Sequence, residues 1–353
     1  MDKANTQTEV VLGVDTHLDK HVGVVIDAVG RMQGTLEIST NDVGYAQLLD
    51  WAQSLGSLQR AGIEGTGSYG AGLTRFLEER GIQVIEVNRT DRSRRRRKGK
   101  SDPTDAESAA RAVLSNDATG LPKSHSGLAE ALRTICVARR GAVKAKTQAI
   151  NQLRALLVSA PSFIRDALLK AKPEHCVAAC EAFPQDKTSP VLAALTATLG
   201  LLARRWSALH AELCELDKHM DRLTKQAAPR LLSRFGVGPH TAATLLVTAG
   251  DNPMRLRNEA ALAALCGVCP LDASSGKSQR HRLNRGGQRQ ANNALWTIAM
   301  VRMRSDARTR EYVARRTGQG LSKKEIHRCL KRYIVRELYP LILADLKDCS
   351  CMA

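Results

Sequence analysis

The sequence predicts an α/β domain with a mixed sheet at its N-terminal end, followed by an all-α remainder. Short apolar runs that end on turns or acidic residues are confined to residues 9–87. Long segments with helical periodicity begin near residue 128. Lys and Arg number 53 against 35 Asp and Glu, which gives a formal net charge of +18. This excess indicates a polyanionic partner, either nucleic acid or an acidic membrane surface.

The first domain, which we place at residues 8–125, is predicted to begin with hairpin strands and to continue with alternating helices and strands. The expected elements are strands at 9–15, 21–27 and 32–38, a helix at 42–55, a strand at 59–64, a helix at 69–80 and a strand at 83–87. The order β-β-β-α-β-α-β is that of a ribonuclease-H-like (RuvC-like) fold, in which helices cover the faces of a mixed sheet.

Residues 126–226 are predicted to form a long helical connector of coiled-coil type. Apolar residues recur at helical spacing over 128–158, and arginines and lysines give this helix a basic face. Prolines break the chain between 160 and 190, and a second long helix is expected over 191–225. The two long helices would form either an antiparallel hairpin or an intermolecular coiled coil, and the sequence leaves both arrangements open.

A helical C-terminal domain is predicted over residues 227–346. Residues 231–249 have the form of a helix-hairpin-helix, in which Gly236 and Gly238 allow the tight turn and the amides that open the next helix hold a nucleic-acid phosphate. A plain helical hairpin is the alternative. Further helices are expected at 258–265, 290–304 and 322–338, the last ending before Pro340, and residues 347–353 are expected to form a disordered tail.

Four acids stand where predicted strands end or a predicted helix begins. Asp15 and Glu64 close two strands, and Asp102 and Asp105 open a helix at a spacing that puts both carboxylates on one face. Pro103 suits the first helical position, and the plain alternative is that Asp102 is an N-cap and Asp105 a first-turn acid. Four converging carboxylates repel one another unless hard cations lie between them. The set therefore predicts a Mg²⁺ site that acts on a phosphodiester.

A dense basic tract lies between the last predicted strand and this helix. It includes Arg94, Arg95, Arg96, Arg97 and Lys98. Like charges at this density repel one another until an anion arrives, so the tract predicts contact with nucleic acid. A solvated loop is the alternative.

The stretch from Leu271 to Trp296 combines hydroxyls, glycines and cations. The hydroxyls belong to Ser274, Ser275 and Ser278, and the cations include Lys277, Arg280, Arg282 and Arg285. Glycines allow close approach of the backbone, and Arg matches phosphate oxygens, so we expect a phosphodiester to bind here. A serine beside a bound phosphate can also attack it. The alternative is a basic loop that only contacts nucleic-acid backbone.

Five motifs occur in a characteristic order along the chain. They are Gly13-Val14-Asp15-Thr16-His17, Ile63-Glu64-Gly65-Thr66-Gly67-Ser68-Tyr69, Lys100-Ser101-Asp102-Pro103-Thr104-Asp105-Ala106, Phe235-Gly236-Val237-Gly238-Pro239, and Ser275-Gly276-Lys277 followed by Gly286-Gly287. In these motifs the chain resembles, over nearly its whole length, the DEDD transposases of the insertion sequence 110 family, which are serine recombinases guided by a bridge RNA.

The resemblance implies that Asp15, Glu64, Asp102 and Asp105 bind metal and that Ser275 is the nucleophile, with Ser274 and Ser278 as rivals. It implies a covalent phosphoserine intermediate, followed by strand exchange and religation. In this family the acidic and serine domains of different subunits complete each active site within a tetramer. The implied partners are element-end and target DNA, a guide RNA, and further copies of the chain in a dimer or tetramer.

Two alternatives come from other functional classes. A metal-dependent RuvC-like junction nuclease would use the same acids with water as the nucleophile, and Ser275 would only bind phosphate. An architectural nucleic-acid-binding protein would need neither the acids nor the serine, and its affinity would be sensitive to salt throughout.

The remaining composition bears on the compartment. No apolar run approaches the roughly 20 residues of a membrane-spanning helix, and the N-terminal residues lack the pattern of a signal peptide. We therefore expect a cytoplasmic bacterial protein associated with the nucleoid and without membrane contact. The nine cysteines are scattered along the chain, which favours reduced core residues over a disulfide framework or a zinc site.

Overall fold

The computed structural model describes residues 8–87, 101–186, 188–276 and 281–350, and the chain divides into two compact units, Met1–His125 and Ser126–Ala353. The first unit contains strands β1 (Glu9–Thr16), β2 (Lys20–Asp27), β3 (Met32–Ser39), β4 (Ser57–Glu64) and β5 (Gln83–Val87), and helices α1 (Asp42–Ser54), α2 (Ala71–Glu78) and α3 (Asp102–Leu114).

The five strands of the first unit form one mixed sheet in the order β3-β2-β1-β4-β5. The first three strands pair antiparallel, whereas β1, β4 and β5 pair parallel. Successive side chains along each strand point to opposite faces of the sheet, so each face buries its own group of apolar residues. Leu12 and Ile63 face the core under α1 and α2, and Val11 and Ile26 face the core under α3.

The second unit begins with a helical hairpin. Its elements are α4 (Leu128–Val158), α5 (Ser162–Leu168), α6 (Pro173–Ala182) and α7 (Pro190–Ala227). The two long helices α4 and α7 pack antiparallel within the chain, and Arg139 Nε lies 2.5 Å from Asp217 Oδ1 across this contact. Of the two arrangements that the sequence left open, the structure therefore has the antiparallel hairpin.

A second apolar core lies around the base of that hairpin. It is formed by α8 (Pro229–Leu232), α9 (Pro239–Ala249), α10 (Glu259–Leu265), α11 (Arg289–Ser305) and α13 (Lys323–Ser350), and α12 (Ala307–Gly318) packs against it. The unit also contains the hairpin strands β6 (Leu271–Asp272) and β7 (His281–Arg282). The predicted helix-hairpin-helix corresponds to the short α8, a turn with positive φ at Gly236, and α9.

In the C-terminal part, one helix was not predicted and two expectations are corrected. Helix α12 was not predicted, because none of its residues is buried and only Tyr312 and Val313 pack partly against the core. Helix α13 continues through Pro340 and does not end before it. Pro340 is exposed, while Leu338 and Ile342 beside it are buried, so packing on both sides outweighs the loss of one backbone hydrogen bond. Residues 347–350, expected to be disordered, are the last turn of this helix.

The fold class predicted from the sequence is confirmed: a ribonuclease-H-like mixed sheet is followed by a helical part. Among the described residues, no helix has the length and apolar content that crossing a membrane requires.

Candidate active site

Two glycines in the sheet let α3 lie directly on the strands. A Cβ at Gly13 of β1 would stand 2.1 Å from the carbonyl oxygen of Ala106, and a Cβ at Gly62 of β4 would stand 2.8 Å from that of Ala109. Such contacts are forbidden, so only glycine permits this approach. The helix presents small, buried alanines to the strands. The close packing fixes the N-terminal end of α3, with its two acids, at the end of β1 that carries Asp15.

The structure brings Asp15, His17 and Asp102 together. His17 Nε2 lies 3.2 Å from Asp15 Oδ2 and 3.5 Å from Asp102 Oδ2. One potential ligand atom from each residue falls within 4.8 Å of the others. Among the described residues, this is the group of three or more acidic, histidine or cysteine side chains that has the spacing of a metal site.

The electrostatics of Asp15 favour a bound cation. Burial raises the pKa of its carboxyl, the negative charges of Asp105 and Asp102 raise it further, and His17 acts in the opposite direction. Asp105 is itself only 4% exposed. A carboxylate in this setting is destabilised by desolvation and by like charge, and a divalent cation relieves both effects. Carboxylate oxygens also suit hard cations such as Mg²⁺, so the side chains present fit a divalent metal ion.

Glu64 lies at the end of the neighbouring strand. In the parallel pairing of β1 with β4, Val14 is opposite Ile63, so Asp15 and Glu64 follow at the same edge of the sheet. Thr16 Oγ1 donates a hydrogen bond to the Glu64 carbonyl oxygen at 2.8 Å and joins the two strand ends. The side chains of Glu64 and Asp105 stand outside the three-residue group.

The beginning of α3 differs in detail from the expectation. The N-cap is Ser101, not Asp102, and Asp102 and Pro103 are the first two helical residues. The main-chain amide of Asp105 donates to the Ser101 carbonyl oxygen at 3.0 Å. The interpretation of Asp102 as an N-cap was therefore wrong. Its side chain is directed to His17 instead.

His17 was not among the residues singled out as candidate ligands. It stands two residues after Asp15, and on a strand that spacing puts both side chains on the same face. The signal was present in the motif from Gly13 to His17, because His17 directly follows the end of β1 and lies two residues after the first acid.

The serine hairpin is exposed and belongs to the second unit. Strands β6 and β7 pair through Leu271 with Arg282 and Asp272 with His281. The Ser274 hydroxyl and the Ser274 amide both donate to the Asp272 carboxylate, which lowers the pKa of Asp272. Ser275 is the next residue and is exposed. Asp272, which was not predicted as a site residue, thus engages Ser274 and distinguishes it from Ser275.

Direct backbone packing anchors the base of the hairpin. A Cβ at Gly287 would stand 2.4 Å from the Gly267 amide nitrogen, and a Cβ at Gly267 would stand 2.3 Å from the Gly286 carbonyl oxygen. The Gln288 amide donates to the Leu265 carbonyl oxygen at 2.7 Å. The paired glycines of the motif therefore hold the returning chain against the end of α10.

The predicted nucleic-acid contacts are placed as follows. Arg282 and Arg285 are exposed at the hairpin. Gly238 is the N-cap of α9, but its amide donates to Thr241 Oγ1 at 3.0 Å and Pro239 has no amide proton, so this helix start offers fewer donors than expected. The predictions for Arg94, Arg95, Arg96, Arg97, Lys98, Lys277 and Arg280 fall outside the described residues.

Comparison with known proteins gives matches in both units. A transposase family model of the IS110 DEDD type matches residues 12–160, and a model described as "Transposase IS116/IS110/IS902 family" matches residues 228–314. A Streptomyces coelicolor protein named "Insertion element IS110 uncharacterized 43.6 kDa protein" is 32% identical over 144 residues, which are 40% of this chain and 35% of that protein. The match thus spans about a third of the length of this relative.

The first family range contains all four acids, and the second contains the serine hairpin. The two ranges together cover more than half of the chain and occur in the order of the motifs. On these grounds the chain belongs to the IS110 family of transposases.

Proposed function

We propose that this chain is a transposase that cuts and rejoins DNA, with Ser275 as the nucleophile and the acidic cluster as the site that binds the scissile phosphate through metal. The observation that carries the proposal is the convergence of Asp15 and Asp102 at one edge of the sheet, with Asp105 close enough to raise the pKa of Asp15. Carboxylates gathered in this way hold divalent cations in enzymes that act on phosphodiesters.

The acids serve as the metal-binding residues. Asp15 and Asp102 would hold a Mg²⁺ ion directly. Glu64, at the end of the neighbouring strand, and Asp105, one helical turn after Asp102, would complete the set. When bound, the metal neutralises charge on the phosphodiester and stabilises the transition state of its attack. His17 occupies the same cluster, and its Nε2 lies near both carboxylates.

The serine supplies the covalent step. The Ser275 oxygen forms a bond to phosphorus, the bond from phosphorus to one DNA oxygen breaks, the serine proton is released, and the departing DNA hydroxyl takes up a proton. The reverse attack by a hydroxyl of another strand rejoins the backbone and frees the serine. Ser275 is the proposed attacking group because it begins the Ser275-Gly276-Lys277 motif and is exposed, and Ser274, which donates its hydroxyl to Asp272, is the rival.

Base pairing with a guide RNA supplies the sequence specificity in this proposal. The large excess of positive charge suits a chain that holds both RNA and DNA backbone. The acids belong to the first unit and the serine to the second, and in a dimer or tetramer of the chain the two parts would come from different subunits.

The test is adduct formation by the purified full-length chain. Labelled element-end DNA is incubated with Mg²⁺ and RNA transcribed from the DNA that flanks the reading frame, and the products are separated on a denaturing gel. We expect a protein-linked DNA strand that disappears in Ser275→Ala and in Asp15→Ala. Omission of the RNA should abolish the adduct as well.

A junction nuclease with water as the nucleophile is the competing outcome. It predicts cleaved DNA without any protein adduct, and cleavage that survives Ser275→Ala but is lost in Asp15→Ala. Binding without cleavage under every condition would instead indicate an architectural protein and would reject the proposal.

A further inference from the structure

A cavity of about 700 Å³ lies beside the serine hairpin, within the second unit. One wall is the end of the hairpin, from His281 to Asn284, and the segment from Gly267 to Pro270. The opposite wall is α13, and the end of α12 closes one side. The volume lies in the range of pockets that enclose a whole small ligand, well above the space that a phosphate alone needs.

The lining of this cavity is strongly cationic. Among the described residues it has one carboxylate, Glu325, against six basic side chains: Arg282, Arg316, Arg328, Lys331, Arg332 and Arg336. Basic groups gathered this closely repel one another in the empty protein. A concave surface with this excess of one charge attracts anions.

Two of these basic groups have buried nitrogen atoms or are buried as a whole. Lys331 is 7% exposed, and its Nζ donates to Asn292 Oδ1 at 2.8 Å, which leaves two of its three N–H donors for another acceptor. Arg316 donates from Nη1 to Gln319 Oε1 at 2.7 Å, while its buried Nε has no hydrogen-bond acceptor among the described residues.

Ion pairs pre-organise part of the remaining basic surface. Arg332 forms a two-pronged contact with Glu259, and Arg336 Nε lies 3.6 Å from the same carboxylate. Arg328 is held more loosely, with its Nη2 at 3.9 Å from Glu325 Oε1. Arg328 is therefore the arginine on α13 that can turn to an incoming anion at the smallest loss of existing contacts.

The cavity also has apolar walls. Val268, Leu283 and Leu321 line it, and Tyr333 presents a ring that is half exposed. A nucleotide has an apolar planar base and an anionic phosphate, so it matches a lining of this mixed kind. A duplex backbone would need only the exposed arginines and no enclosed apolar space.

We propose that this cavity binds an unpaired nucleotide of the DNA strand next to the phosphate that Ser275 attacks. The hairpin that bears Ser275 is itself a wall of the cavity, which puts the two sites on one short segment of chain. The inference rests on the proposed function for the identity of the strand. The arginines hold its phosphates, and the apolar wall receives the base.

The test measures binding of fluorescein-labelled DNA to the full-length chain by anisotropy, in single-stranded and duplex form. Arg328→Gln removes one cavity charge, and Leu283→Trp fills the cavity without changing any charge. Each variant should bind single-stranded DNA about tenfold more weakly, with a much smaller change for the duplex. Arg310→Gln removes an exposed charge from α12 outside the cavity lining and serves as the matched control.

Several outcomes would overturn the inference. It fails if Leu283→Trp, with an unchanged melting temperature, binds single-stranded DNA as the wild type does. It fails if Arg310→Gln weakens binding as much as Arg328→Gln, because the effect would then be one of general charge. An RNA strand of the same sequence that binds more tightly than DNA and shows the same variant effects would assign the cavity to the guide RNA instead.

The two proposals fail separately. If the serine adduct forms and both cavity variants bind and react normally, the cavity inference alone is rejected. If no adduct forms while both variants lose single-strand binding, the cavity site stands and the serine mechanism is rejected.

Discussion

The carboxylate of Asp15 lies where its charge is unfavourable for the metal-free protein. It is largely buried at the end of β1, and Asp102 and Asp105 add like charge around it. Carboxylates gathered in a cation-binding site lower the stability of the metal-free folded protein. We therefore expect that a neutral residue at position 15 would make the metal-free protein more stable than Asp15 does.

Replacement of Asp15 by Asn should raise the melting temperature in the presence of EDTA by roughly 2 °C or more, because one buried negative charge is removed. Excess Mg²⁺ should stabilise the wild type and leave Asp15→Asn unchanged, since a ligand stabilises only the folded state that binds it. Asp50→Asn, on the exposed side of α1, is the control and should change neither value. A variant that melts lower in EDTA would contradict this account of the site.

Lys331 gives a prediction about pH. Burial, and then the charge of Arg328, lower the pKa of its amine below 10.5. The protonated form therefore opposes folding, and this penalty is complete below the lowered pKa and disappears as the pH rises toward 10.5. The wild type should gain stability relative to Lys331→Gln between pH 7 and pH 10, measured as the difference in free energy of unfolding in urea. If the difference in free energy of unfolding between the wild type and Lys331→Gln stays constant over this pH range, or if the wild type becomes relatively less stable, the prediction is wrong.

Spacing on single elements predicted part of the candidate site. Asp102 and Asp105 were placed on one face of a helix by their spacing, and the strand end predicted the position of Asp15. Asp272 was not predicted, because its role depends on the turn that brings the Ser274 hydroxyl back to it. The cationic cavity was not predicted either, since it joins residues between Gly267 and Asn284 to residues between Arg316 and Arg336, which are far apart in the chain.

At the level of elements, the packing of α3 on β1 positions the acids. The sheet surface under this helix consists of glycine backbone at Gly13 and Gly62, and the helix packs its buried alanines against it. Neither element would hold Asp102 beside Asp15 without the other. The position of the metal site therefore depends on a contact that contains no functional group.

Gly13→Ala tests this contact. The added methyl group would overlap the Ala106 carbonyl oxygen, so we expect a loss of about 2–3 kcal/mol in the free energy of unfolding, together with weaker stabilisation by Mg²⁺. Gly141→Ala is the comparison, because Gly141 lies in α4 with open space at its Cβ. That substitution should stabilise the protein by up to about 1 kcal/mol. If the two variants change the free energy of unfolding equally, the position of α3 does not depend on its close approach to the glycine backbone of the sheet.

Secondary structure was predictable where burial imposes a period. The strands of the sheet and helix α4 agree closely with their apolar patterns, because each buries one face or stripe. Helix α12 has no buried residue and left no such pattern, although Asp306 caps it by accepting from the Thr309 amide. The expected end of the last helix at Pro340 was wrong because local propensity was given more weight than the packing of α13.

For the whole molecule, the functional groups are divided between two units. The four acids belong to the sheet unit, and the serine hairpin and the cationic cavity belong to the helical unit. The chain as a whole carries a formal net charge of +18, so its affinity for nucleic acid should fall steeply as the salt concentration rises. The chemistry proposed here requires both units to act on one phosphodiester.

The measurement that tests this claim most directly is identification of the protein residue joined to DNA after the reaction with Mg²⁺ and guide RNA. The trapped adduct is digested with protease and nuclease, and the modified peptide is sequenced by mass spectrometry. The account predicts a single phosphoserine linkage at Ser275, retained in Ser274→Ala and absent in Ser275→Ala and Asp15→Ala. A linkage at another residue, or cleavage of DNA with no linked peptide, would contradict it.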